Sequence, residues 1–152
     1  MDAVRLIRAT GSALARARSE QDIVAEAWQA QALAGAVGSH LAVNGPPELR
    51  TEAYGLSESG TRACGALHHP APRVGGVRAA QLSAVSDLRA ALLGLGGLLG
   101  EVGMLLVGVA CAAEEEAMYW HFIEAIDAAD ESRDRVTGML RQLAMRERGG
   151  AA

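Results

Sequence analysis

From Ile23 to Leu41 the chain sets an apolar residue at alternating steps of four and three: Ile23, Ala27, Ala30, Ala34, Val37 and Leu41. That period matches one stripe of an α-helix and excludes a strand, whose faces alternate at every second residue. A stripe so narrow and so rich in alanine is covered best by another helix at short range. The spacing therefore predicts closely packed antiparallel helices before any other property is considered.

The same period recurs along the chain. Val4, Ile7, Gly11 and Leu14 mark an amphipathic helix over 2–18, with Arg5, Arg8, Arg16 and Arg18 off the stripe. Ser19 with Asp22 three residues later reads as a capping box opening a helix over 20–43. Asn44-Gly45-Pro46-Pro47 closes it and starts another over 47–68, through Leu49, Ala53, Leu56, Gly60, Ala63 and Leu67. His68-His69-Pro70-Ala71-Pro72-Arg73-Val74-Gly75-Gly76 reads as a loop, because two prolines and two glycines do not continue a helix.

Residues 77–112 follow as a long apolar helix, with Ser86 the cap of a second start if it is broken. Leu88, Leu92, Leu95, Leu99, Val102, Leu106 and Val109 line one side. Leu93, Leu98, Leu105 and Val107 widen the apolar surface almost all round, so this is the expected central helix. Glu114-Glu115-Glu116 then suits a new N-terminus, and the last helix runs over 114–146 through Met118, Phe122, Ile126, Ala129, Val136, Leu140 and Leu143. The expectation is an all-α, single-domain antiparallel bundle of four to five helices over 1–148, with 149–152 a disordered tail.

Composition agrees. Half the residues are apolar, yet only two Trp, two Tyr and one Phe are present, so the core is aliphatic and alanine-rich. All 14 basic residues are arginine, and a net charge of −4 argues against a nucleic-acid partner, which needs a basic face. Cys64 and Cys111 lie far apart and form no disulfide framework, which fits a reducing, cytoplasmic setting. Arg5 and Arg8 interrupt any apolar run of a secretory signal.

The run Ala90 to Ala113 is long enough to cross a bilayer and carries a Gly96/Gly100 pair. Glu101 at its centre would cost about 2.5–3.5 kcal/mol there. A buried helix of a bundle is the expectation, not a membrane span.

Two clusters carry metal-ligating side chains. Cys64 and His68 stand four apart, with His69 next to them, but a fourth ligand is missing. His121, Glu124 and Asp127 follow at steps of three, but a di-iron bundle needs Glu-x-x-His on two helices. Neither cluster completes a ligand set, so no cofactor is expected, and a metal-binding protein or metal-dependent enzyme is the alternative class. No phosphate loop, nucleophile elbow, HExxH or CxxC occurs.

Between Glu114 and Asp134 stand eight acidic residues and one arginine, Arg133. Tyr119, Trp120 and Phe122 cannot share one helical face, because successive positions point about 100° apart. Tyr119, Trp120, Glu115 and Glu116 are therefore the candidate interaction surface for a protein partner. The chain reads as a non-enzymatic interaction or regulatory module, with homodimerisation favoured by its surplus apolar surface.

The segments AEAWQAQALA, GGLLGEVG, LVGVACA and YWHFIEAIDAADESRDRV resemble a family of small helical proteins of streptomycetes and related actinobacteria, over Met1 to about Glu147. That family has no assigned activity. The resemblance implies an actinobacterial origin and a helical fold, and carries over no catalytic residue. The small helical hairpins of type VII secretion do not match, since Gln29-Ala30 follow Trp28 and Tyr119 meets Ile123 at the fourth step.

Overall fold

The computed structural model of the chain describes residues 1–69 and 76–151. Pro70 to Gly75, the centre of the expected loop, lie outside the described residues, as does Ala152. Among those described, five α-helices make the fold and no strand occurs: α1 Ala3–Arg16, α2 Glu20–Asn44, α3 Arg50–Ala66, α4 Leu88–Ala112 and α5 Glu116–Ala151. Short 3₁₀ turns at Pro47–Leu49 and Arg78–Gln81 precede α3 and α4.

Local chemistry sets the boundaries. The Asp2 carboxylate accepts from the Val4 N–H and starts α1. Ser19 Oγ accepts from the Asp22 N–H at 3.1 Å, so Ser19 caps α2 where the sequence places its start. Pro47 occupies the first turn of its 3₁₀ segment, where a missing N–H costs nothing.

The expected helix over 77–112 is shorter. Residues 82–87 run without helix after the 3₁₀ turn, and α4 begins at Leu88. Asp87, not Ser86, is the cap, and its carboxylate accepts from the Ala90 N–H at 3.0 Å. Long-range bonds hold the intervening chain extended: Ala3 N–H donates to the Ala84 carbonyl at 2.9 Å and Ser86 N–H to Asp2 Oδ1 at 2.8 Å. At the other end α5 continues through Ala151, where a disordered tail was expected from Gly149. The intrahelical ladder adds a bond for each residue and offsets the low propensity of Gly149 and Gly150.

In cross-section the helices follow the order α1, α2, α3, α5, α4 and close again on α1, while α2 also touches α4 across the middle. Leu6, Leu14, Leu33, Leu56, Leu99 and Met139 are among the fully buried side chains at the centre. Burying a leucine contributes about 1.5–3 kcal/mol.

Side-chain size sets the α2/α3 crossing. A Cβ on Gly60 would stand 2.7 Å from the Gly35 nitrogen, and one on Gly38 would stand 2.6 Å from the Ser57 nitrogen. Only hydrogen fits there, so the contact face includes Gln31, Gly35 and Gly38 beside the alanine stripe. Across α4 the inner face is buried. Leu93 and Val107, expected to widen the buried surface, instead lie exposed on the outer face, because α1 and α5 flank α4 and no element among the described residues covers its far side.

Candidate functional site

A groove of about 730 Å³ lies at one end of the bundle. Three elements build it: the first turns of α2, the C-terminal end of α3 and the start of α5. Val24, Ala25, Leu67, Met118 and Phe122 form its apolar floor, and Glu20, Asp22, His68, His69 and His121 its polar rim. Its volume lies in the range of about 300–1,000 Å³ typical of small-molecule sites.

Local backbone geometry creates the rim. Helix α3 ends at Ala66, and His68 takes a left-handed conformation with φ 51, unusual for any residue but glycine. The turn carries the His68 imidazole to His121 of α5, with ring centroids 4.5 Å apart and planes at 40°. His121 also meets the Phe122 ring edge-on at 5.1 Å. Two histidines from separate sequence clusters thus form one wall.

The clusters themselves come apart. Helix α3 stops before His68, so Cys64 and His68 do not share a helical face. Cys64 instead donates from Sγ to the Trp28 carbonyl at 3.6 Å and lines a different recess between α2 and α3. Burial pushes its thiol up to about 11, which disfavours the thiolate that a metal or an electrophile needs. Glu124 and Asp127 are exposed and do not line the groove with His121. Among the described residues no three His, Cys, Asp or Glu side chains are placed to share a metal ion.

Tyr119 and Trp120 stand at the surface, their rings 5.2 Å apart and nearly perpendicular, while Phe122 is buried. Glu115 and Glu116 are exposed at the same end. The groove floor was invisible to sequence reasoning because Leu67 and Met118 carry only an ordinary helical apolar signal. Their convergence with Val24 depends on the order in which helices pack.

A second surface lies along α4. Leu93, Met104 and Val107 are exposed by 57%, 76% and 47%. Gly97, Gly103 and Gly108 have open space where a Cβ would stand. Glu101 shares a recess with Ala15, Ala17 and Arg18 on the α1 flank. The Arg133 guanidinium lies over Gly100 on the α5 flank, where a Cβ on Gly100 would be 3.4 Å from its Cζ. Among the described residues α4 alone has the length and apolarity to cross a membrane, at a mean hydropathy of 2.0.

The fold defines the class as an all-α helical bundle with an end groove and one open apolar helix face. The particular family follows from comparison: a family model matches residues 1–142, and the chain belongs to this family, DUF6099, a family of unknown function. Comparisons with curated proteins and with solved structures find no match.

Proposed function

We propose that the protein is a non-enzymatic interaction module that self-associates through the outer face of α4. The observation that carries this reading is the apolar stripe of Leu93, Met104 and Val107, uncovered among the described residues and bordered by Glu101 and Arg18 on one side and by Arg133 on the other. Exposed apolar stripes rimmed by polar residues favour association.

The charges select the geometry. Glu101 stands on the α1 flank and Arg133 on the α5 flank, at the same level because Gly100 and Glu101 are neighbours. With a two-fold axis parallel to α4, the α1 flank of one copy meets the α5 flank of the other. Glu101 then faces Arg133 of the second copy, twice. Helix α5 runs antiparallel to α4, as its Arg89 to Glu147 ion pair at the far end requires. Asp130, one turn before Arg133, therefore lies toward the level of Met104, where Arg18 occupies the opposite flank. An antiparallel dimer would instead set Glu101 against Glu101 and Arg133 against Arg133. Opposite charges at a rim suppress the wrong register.

The parallel arrangement brings Cys111 of both copies to one level near the axis. Light scattering should show a dimer at micromolar concentration, and mild oxidation should join the copies through Cys111, with Cys111→Ser abolishing the link. Met104→Glu should yield a folded monomer. A wild-type monomer in this range overturns the reading, and a dimer that never cross-links overturns the parallel geometry. Tyr119, Trp120, Glu115 and Glu116 remain outside this face, free for an unlike partner.

A further inference from the structure

We infer that the end groove binds a lipophilic organic cation, an amine or onium compound with an apolar body, against Glu20, Asp22 and the His68/His121 wall. Three features of the groove support this assignment. Its floor is aliphatic and thioether in character, through Val24, Leu67 and Met118, and offers a bulky apolar body somewhere to leave water. Its wall carries the imidazoles of His68 and His121, which pack on each other at 4.5 Å and report on a ligand placed beside them. Its described lining is acidic: Glu20 and Asp22 line it, no arginine stands among the described lining residues, and the chain contains no lysine.

Both carboxylates line the groove, and each also borders a recess that holds arginine, Glu20 with Arg18 and Asp22 with Arg16 and Arg78. Among the described residues neither takes part in an ion pair. Arg78, behind the first turn of α2, is held by Glu26 at 2.6 Å, and Arg18 donates to the carbonyls of Ala15 and Ala17. The N-terminus of α2 offsets only about half a charge. The described lining of the groove therefore carries two carboxylates and no arginine. An anion of the same shape would meet two carboxylates, and a neutral body would leave them unused.

Tetraphenylphosphonium and tetraphenylborate are matched in shape and opposite in charge, and the full chain can be titrated with each by calorimetry and by NMR of the imidazole protons. The cation should bind saturably and move the His68 and His121 signals. The borate should bind at least about tenfold more weakly, the scale of one charge contact. The Glu20→Gln/Asp22→Asn variant keeps polar side chains at both positions and should reduce cation affinity by about tenfold or more. Its circular dichroism should be unchanged, and Met118→Trp, which fills the floor, should abolish binding by either ion. Equal affinity for the two ions, absence of saturable binding, or binding that leaves the imidazole signals unmoved overturns the inference. Zinc chloride moving those signals where the phosphonium does not would assign the groove to a metal and overturn it equally.

Discussion

Ser132 of α5 donates its hydroxyl to Gln31 Oε1 of α2 at 2.9 Å inside the core, and the same hydroxyl lies 3.3 Å from Ser59 Oγ of α3. All three side chains are buried, so the network ties three helices at one level and fixes which faces meet. Ser132→Ala removes the donor and leaves the Gln31 carbonyl oxygen without it. The expected loss is about 1–3 kcal/mol, read as a lower urea midpoint. Gln31→Met in the same background should recover part of it, a coupling that a double-mutant cycle measures. Additive effects would show that the network is not cooperative.

Gly60→Ala tests the α2/α3 crossing. Its methyl group would meet backbone atoms of Gln31 and Gly35 at 2.7–2.8 Å, which cannot move without shifting a helix. Overpacking of this kind costs about 1–3 kcal/mol. Gly11→Ala is the control, since nothing lies within 4 Å of its added carbon. That change should raise stability by about 0.5–1 kcal/mol through helix propensity. Similar melting shifts in both variants would remove the argument for a backbone contact.

Asp2 gives the α1 end an acid-sensitive clasp. The Ser86 backbone N–H, then the Ser86 side chain and the Val4 N–H, hold its carboxyl below the ordinary value of 3.8. A depressed value in the folded state means that the ionised form is favoured by folding. The contribution is present above the unfolded value and is lost as pH falls through the folded one. Denaturant midpoints taken from neutral pH to about pH 3 should therefore fall less in Asp2→Asn than in the wild type, whose slope includes this term. Identical acid slopes would contradict the clasp.

Cys64 and Cys111 should differ sharply toward a thiol reagent. Cys111 is exposed, whereas Cys64 is half-buried, donates to the Trp28 carbonyl and has its thiol pushed up to about 11. Mass spectrometry of dilute native protein at neutral pH should find the label on Cys111. In Cys111→Ser, labelling should stay slow until the pH approaches that value or the chain unfolds. Rapid labelling of Cys64 at neutral pH would refute its burial.

The helical period, the Ser19 and Asp22 cap and the Asn44-Gly45-Pro46-Pro47 break are local signals, and the structure repeats them as α2 and its boundaries. The start of α4 is set by a long-range contact instead. Ser86 and Asp87 are both capable caps, and a bond from Ser86 N–H to Asp2, 84 residues away, decides between them. No window of sequence contains that partner.

The candidate site follows the same division. His68 and His121 are each visible as histidines near a helix end, but sequence spacing grouped them with Cys64 and with Glu124, which share a segment with them. Packing regrouped them. The apolar stripe of α2 was determined by the sequence itself, because a helix places every third or fourth residue on one face whatever surrounds it. Which helix covers that stripe, which face of α4 stays open and which imidazoles meet were decided only by tertiary structure. Those outcomes depend on how close two backbones can approach, and at the α2/α3 crossing Gly38 and Gly60 set that distance with residues from both sides.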